Sequence, residues 1–149
     1  MEDGKVKHLD LLQRYLANSA VLNIKIHNIH WNVVGLQFLK IHDFAEEFYD
    51  KLFEELDEVA ELLKMKNEMP LSTMAEYLEK SDIKEVKAKD FSIKESLEII
   101  KEDMDLMRDL AVEIRNTADE EGDFETVAMF EDYVAYYSKN LWFVESMIK

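Results

Sequence analysis

Side chains that commonly bind metal ions are concentrated in the segment between residues 27 and 61. This segment holds three of the chain's four histidines together with three carboxylates at regular spacing: His27, His30, His42, Glu46, Asp57 and Glu61. His42 and Glu46 are four residues apart, so they lie on one face of a helix, and the last two carboxylates repeat this spacing. Imidazole and carboxylate ligands together suit Fe(II), Zn(II) or Mn(II). Because the chain has 33 acidic residues, one such pair fits a solvated helix face equally well, and only the combination favours a metal site.

The spacing separates these residues into two clusters. A helical hairpin that turns near Gly35 would place His30 and His42 opposite each other, with Glu46 one turn further along. Asp57 comes fifteen residues after His42, which is roughly 22 Å along a helix at about 1.5 Å per residue. One ion cannot bind at both ends of that distance. The two clusters of a single chain therefore cannot form one site.

Both clusters on the second helix are expected to face away from the core of their own bundle. At about 100° per residue, the apolar stripe of this helix is centred about 130° from the mean direction of its ligands. Phe53 shares the ligand face, and an exposed phenylalanine there suggests a contact surface. Pairing two antiparallel copies about a two-fold axis would bring Asp57 and Glu61 of one chain to the histidines of the other, so the sequence predicts a metal site at an isologous interface. No histidine follows a glutamate by three residues, which argues against a paired Glu-x-x-His site inside one bundle.

Regular apolar stripes predict an all-α fold, a four-helix bundle in one domain that covers residues 1–149. The first long helix is expected from about Lys7 to Val33, and the second from Phe38 to Lys64. Apolar residues recur at three- and four-residue steps in the last three long helices, as bundle packing requires. The predicted core positions are Ile41, Ala45, Phe48, Leu52, Leu56, Val59 and Leu63, then Ile93, Leu97, Ile100, Met104, Met107, Ala111, Ile114 and Ala118, and then Val127, Phe130, Val134, Tyr137, Leu141, Val144 and Ile148.

Capping sequences predict where the remaining helices start. The expected pairs are Thr73 with Glu76 and Ser92 with Glu95, and the expected single cap is Asp123 after Gly122. The first pair predicts a short extra helix that ends near Lys80. The other caps predict the starts of the third and fourth long helices.

Composition restricts the classes of function. Three glycines, one proline and no cysteine favour long helices and exclude disulfides and thiolate metal sites. No apolar segment reaches membrane-spanning length and no secretory signal is recognisable, so we expect a soluble protein of the cytoplasm. The net charge of −15 attracts cations and repels phosphate backbones. The segment Met1–His8 is short and mixed in charge, so direct DNA binding is not expected.

Beyond these patterns, the sequence resembles the Dps family, the DNA-protection-during-starvation or miniferritin group. The matching segments are His30-Trp31-Asn32-Val33 with Gly35 and Phe38, His42 twelve residues after His30, Asp57-Glu58-Val59-Ala60-Glu61, Glu76-Tyr77-Leu78 before Ser81 to Glu85, and Gly122-Asp123 through Thr126 to Lys139-Asn140-Leu141-Trp142. The likeness covers nearly the whole chain. Glu46 departs from the family's usual Asp, Asn140 from a common His, and Ala128 from a position that is often acidic, while His27 matches no family ligand.

The resemblance implies a ferritin-like iron oxidase and iron-storage subunit. It implies a cage of twelve copies with di-iron centres at the two-fold interfaces, where His30, His42 and Glu46 of one subunit and Asp57 and Glu61 of its partner bind iron and carry the catalysis. Fe(II) would be oxidised by hydrogen peroxide or oxygen and stored as ferric mineral, which protects against oxidative damage. Zinc can replace iron at such ligands. The alternative is a non-enzymatic acidic cage that only sequesters metal or serves a structural role.

Overall fold

The computed structural model describes residues 2–149, with side chains from His8 onward. Its helices are α1 (Glu2–Asn32), α2 (Phe38–Met65), α3 (Met74–Lys80), α4 (Ile93–Glu120) and α5 (Phe124–Ile148). The prediction of an all-α fold with a short helix between the second and third long helices is confirmed. The predicted start of the first helix is wrong, because α1 begins at Glu2 and not near Lys7. No proline precedes Pro70, so nothing in the early sequence interrupts the helical hydrogen bonds.

The long helices pack as two hairpins. α1 packs against α2, and α4 packs against α5, while α1 also contacts α3 and α4. Most of the predicted stripe positions are buried, including Phe48, Met104 and Phe130. Ile148 is a wrong prediction: as the last helical residue of α5 it remains 37% exposed. In the described residues, no helix is both long enough and apolar enough to cross a membrane.

The turn between α1 and α2 is attached to the segment that precedes α4. The backbone N–H of Val34 donates to Phe91 O at 2.8 Å, and the N–H of Phe91 donates to Asn32 O at 3.0 Å. Gly35 has a φ of +129°, and a Cβ at this position would lie 3.0 Å from Cγ1 of Ile93. Glycine is therefore needed here both for its backbone conformation and for the close approach of α4. This turn sets the position of the end of α1 relative to the start of α2.

Capping hydrogen bonds define the starts of α3 and α4. Both halves of the predicted box are formed at α3, where Thr73 accepts from the N–H of Glu76 and the Glu76 carboxylate accepts from the N–H of Thr73. At α4 only one half is formed. Ser92 accepts from the N–H of Glu95 at 3.1 Å, but the Glu95 carboxylate accepts from Lys89 Nζ at 2.6 Å. The prediction of a complete second box is wrong because a neighbouring ammonium competes for the carboxylate.

Asp123 caps α5 as predicted and also connects three helices. Its carboxylate accepts from the N–H and hydroxyl of Thr126 at 3.3 and 2.7 Å. The same carboxylate lies 2.5 Å from Lys66 Nζ and 3.0 Å from Nε2 of the buried His8. The expectation about DNA binding depends on the segment Met1–His8. Of its side chains, the structure describes only that of His8, and the others lie outside the described side chains.

Candidate metal centre

His30 and His42 fix each other's rings through their backbones. His30 Nδ1 lies 2.7 Å from His42 O, and His42 Nδ1 lies 2.7 Å from His30 O. A carbonyl oxygen only accepts hydrogen bonds, so each Nδ1 must carry its hydrogen. The rings stack with centroids 3.7 Å apart at 15°. In the neutral rings, both Nε2 lone pairs are therefore available to a metal ion, and the hydrogen bond at Nδ1 holds each ring in that tautomer.

Glu46 completes a group of three candidate metal ligands on the α1–α2 hairpin. One ligand atom each from His30, His42 and Glu46 lies within 4.8 Å of the other two, and no other such group of three occurs among the described residues. His30 is buried, His42 is half-buried and Glu46 is exposed. One side of the group is thus held by the protein, while the other side is open at the surface.

Asp57 and Glu61 do not join this group in the same chain. Both carboxylates are exposed on α2, several turns beyond Glu46. Neither has an ion-pair partner among the described side chains. Phe53, which shares this face, is 63% exposed. The structure therefore separates the two clusters within one subunit, and the second cluster lies on a surface that also presents an apolar side chain.

Aromatic side chains hold the buried side of the group. His27 stacks on Tyr49 with ring centroids 3.6 Å apart, and the rings of Tyr49 and His30 are nearly perpendicular, with centroids 5.1 Å apart at 87°. The Nδ1 of His27 lies 2.7 Å from Asn23 O, so it is already hydrogen bonded. The ring of Trp31 lies 5.4 Å from that of His27 and is 66% exposed. His27 contributes packing behind His30 and is not part of the three-ligand group.

The comparisons with known proteins identify the family of the chain. A family model for the ferritin-like domain matches residues 9–149. The DNA protection during starvation protein of Helicobacter pylori is 33% identical over 141 residues, which are 95% of this chain and 98% of that protein. The chain belongs to the Dps family. The crystal structure of a Dps protein from Bacillus brevis has a TM-score of 0.93 at 31% identity, covering 99% of this chain and 98% of its own.

A more distant Dps structure adds a chemical description. The Dps protein of Vibrio cholerae, which is described as a member of a broad superfamily of ferritin-like diiron-carboxylate proteins, has a TM-score of 0.92 at 26% identity. It covers 99% of this chain and 92% of its own length. Dps membership confirms the ferritin-like fold and supports a role in iron storage and protection.

This Dps chain also contains a buried acid that the sequence pattern did not single out. Glu55 is fully buried on α2, where Tyr15 Oη donates to its Oε1 at 2.5 Å and Tyr137 Oη donates to the same oxygen at 3.0 Å. Burial raises the pKa of Glu55 to about 7, although hydrogen bonds from the two tyrosines act in the opposite direction. The signal was present in the sequence, because Glu55 follows Leu52 by three residues and precedes Val59 by four, which is the register of the apolar stripe.

Proposed function

We propose that this chain is the subunit of an iron-oxidising and iron-storing cage whose oxidation sites are shared between two subunits. In this proposal His30, His42 and Glu46 of one subunit and Asp57 and Glu61 of its partner bind Fe(II) as the substrate. Hydrogen peroxide is the preferred oxidant, and the ferric product is stored as mineral inside a cage of twelve copies. The observation that carries the proposal is the open three-ligand group with both Nε2 lone pairs available.

The need for a second subunit follows from the separation of the two clusters. Two histidines and one carboxylate are too few ligands for a pair of iron ions. The missing carboxylates lie on the same exposed side of α2 but several turns away, and a two-fold axis across antiparallel α2 helices brings such positions together. Phe53, 63% exposed between the clusters, would become buried in that contact, which favours association.

The ligand set also supports the oxidation step. Carboxylate oxygens are hard ligands that stabilise Fe(III) more than Fe(II), so they lower the reduction potential and favour the loss of an electron. Two adjacent Fe(II) ions can supply the two electrons that convert one hydrogen peroxide and two protons into two water molecules. Because both electrons are available at one site, hydroxyl radical need not be released.

An acidic groove between α2 and α5 is a suitable surface for mineral growth. It is lined by Glu47, Asp50, Lys51 and Glu54 on α2 and by Tyr136, Lys139, Asn140 and Phe143 on α5, so its three carboxylates outnumber its two lysines. Clustered carboxylates attract iron cations. We place this groove on the cavity side of the cage.

The test is anaerobic loading with Fe(II) followed by a limiting pulse of hydrogen peroxide while ferric absorbance is recorded. We expect rapid oxidation of about two Fe(II) per peroxide, because peroxide accepts two electrons, with little hydroxyl radical trapped. Oxidation no faster than in protein-free buffer would contradict the proposal and favour the alternative, an acidic cage that only sequesters metal.

Variants test the assignment of the ligands. His30→Ala should slow the fast phase of Fe(II) oxidation by more than roughly tenfold, while assembly is retained. A loss of about tenfold is the lower end of the range for removing a residue that only hydrogen bonds to a metal ligand, and His30 is proposed to be a ligand itself. Glu61→Gln should have a similar effect. Glu98→Gln, the same change at an exposed glutamate of α4, is the matched control and should keep the parental rate. Parental rates in both ligand variants would show that the assignment is wrong.

A further inference from the structure

The core of the bundle contains a hydrogen-bonded group of tyrosines around one carboxylate. Tyr15 on α1 and Tyr137 on α5 both donate to Oε1 of Glu55, and their own hydroxyl oxygens are 3.2 Å apart. All three residues are completely buried. Glu55 Oε2 is also buried and has no hydrogen-bond partner among the described residues. The carboxylate is therefore positioned by the two phenols alone.

The group continues from the core toward the surface. The ring of Tyr15 stacks on that of Tyr133, with centroids 5.8 Å apart at 13°. Tyr133 Oη donates at 2.5 Å to Oε1 of Glu58, an exposed residue. The ring of Tyr137 meets that of Tyr136 at 5.4 Å, beside the acidic groove. Four of the chain's six tyrosines thus form one continuous group, which we call the tyrosine cluster: Tyr15, Tyr133, Tyr136 and Tyr137.

Packing alone does not account for a carboxyl group at this position. Burying an ionisable group in an apolar core is costly, and a hydrophobic side chain of similar size would fill the same space without that cost. The carboxylate does provide a proton acceptor in direct contact with a phenol. That property matters when a tyrosine is oxidised, because an oxidised phenol is a very strong acid and must lose its proton.

We propose that Tyr15 is a redox-active residue that supplies one electron to the oxidation site, with Glu55 as the acceptor of its proton. This inference rests on the proposed function, because the oxidant is the hydrogen peroxide consumed at the iron site. When only one Fe(II) is bound, peroxide takes one electron from that iron and one from Tyr15, and with two protons from solvent it becomes two water molecules. The phenol proton moves from Tyr15 Oη to Glu55 Oε1, which leaves a neutral tyrosyl radical.

The tyrosine returns to its starting state when the next Fe(II) arrives. That ion gives one electron to the radical and becomes Fe(III), and Glu55 returns the proton to Tyr15. Glu55 comes nine residues after Glu46 on α2, roughly 13 Å along the helix axis, so the electron would cross the bundle over at least that distance. This electron transfer from Tyr15 would keep a site with only one bound Fe(II) from releasing hydroxyl radical.

Trp31 is the competing electron donor. Its ring lies 5.4 Å from that of His27, which packs behind His30, so it is adjacent to the proposed oxidation site. A tryptophan radical and a tyrosyl radical have different electron paramagnetic resonance spectra. The identity of the radical therefore separates the two donors.

The experiment is run above pH 8, where Glu55 is ionised and can accept a proton. It loads the assembled protein anaerobically with less than one Fe(II) per site, adds hydrogen peroxide, freezes the sample rapidly and records the paramagnetic resonance spectrum. We expect a neutral tyrosyl signal that Tyr15→Phe abolishes and that Glu55→Gln largely removes. Tyr77→Phe, which changes a tyrosine of α3 outside the tyrosine cluster, is the control and should keep the signal. A signal unchanged by Tyr15→Phe, or one lost only in Trp31→Phe, would overturn the assignment.

A second oxidant separates this inference from the proposed function. A photochemically generated ruthenium(III) complex can oxidise the iron-free assembly, and the Tyr15 radical should form more slowly in D₂O than in H₂O because its proton moves with the electron. A Tyr15 radical here without fast Fe(II) oxidation would contradict the proposed function alone. Fast Fe(II) oxidation with no Tyr15 radical under either oxidant would overturn the redox role and leave Glu55 a structural buried acid.

Discussion

Glu55→Gln should remove a pH-dependent cost to stability. Burial raises the pKa of Glu55 from 4.5 to about 7 in the folded protein, so the fold retains this proton at pH values where the unfolded chain has lost it. The proton bound to Glu55 stabilises the fold relative to high pH. This stabilisation is fully present below about pH 4.5 and is lost as the pH rises through about 7. The difference of the two pKa values corresponds to roughly 3 kcal/mol at high pH. A neutral glutamine does not carry this cost.

The pH dependence isolates the ionisation from other effects of the substitution. The glutamine amide nitrogen has no acceptor at this position, which costs roughly 1–3 kcal/mol, but that cost is the same at every pH. The stability of Glu55→Gln relative to the parent should therefore increase by roughly 2–3 kcal/mol between pH 5 and pH 8. For a chain of this size, that corresponds to a relative change in Tm of roughly 5–10 °C.

The assay is denaturant unfolding of the assembled protein at fixed concentration, followed by far-ultraviolet circular dichroism at several pH values. Fixed concentration is required because association contributes to apparent stability. Glu98→Gln, at an exposed glutamate, should show no pH-dependent difference from the parent. If Glu55→Gln and the parent had parallel stability curves from pH 5 to pH 8, Glu55 would not be a buried acid with a raised pKa.

Two further substitutions and one binding assay test other parts of the account. Lys25→Ala should destabilise the fold by roughly 3–5 kcal/mol in the same unfolding assay, because it leaves Asp103, 2.8 Å away and similarly buried, without its partner; a loss below 1 kcal/mol would contradict this. Gly35→Ala should lower the free energy of unfolding by roughly 1–3 kcal/mol, because Gly35 has a positive φ and an added Cβ would lie close to Ile93. Unchanged stability would show that the turn can relax. Plasmid DNA should not be retarded at moderate salt, because the chain carries a net charge of −15; a shift without added divalent cations would refute this.

The apolar stripes predicted the bundle well because burial of each helix depends mainly on its own periodicity. Phe48 and Met104 were placed in the core from spacing alone, and both are buried. The stripe of α5 was less accurate, since Tyr133 is buried while Val134 is only half-buried. The helical period alone cannot decide which of two adjacent apolar residues is the more deeply buried. Only the position of the neighbouring helix decides between them.

The proximity of His30, His42 and Glu46 was predictable from the sequence, but their hydrogen bonds were not. The spacing of His30, His42 and Glu46 around the turn was sufficient to place them together, as the structure confirms. The reciprocal bonds from each Nδ1 to the other histidine's carbonyl depend on the exact docking of α1 on α2, which no spacing rule gives. Glu55 was missed because a charged residue in a helix is normally assigned to solvent, and its partners Tyr15 and Tyr137 are distant in sequence.

The sharing of each site between two subunits is tested most directly by subunit complementation. His30→Ala and Asp57→Ala chains carrying different tags are co-expressed, mixed assemblies are isolated, and peroxide-dependent Fe(II) oxidation is measured. Each variant alone should lack the fast phase. In a mixed dimer one site carries both defects and the other carries neither, so random mixing should restore about a quarter of the parental sites. Mixed assemblies no more active than either variant alone would contradict a site built from two subunits.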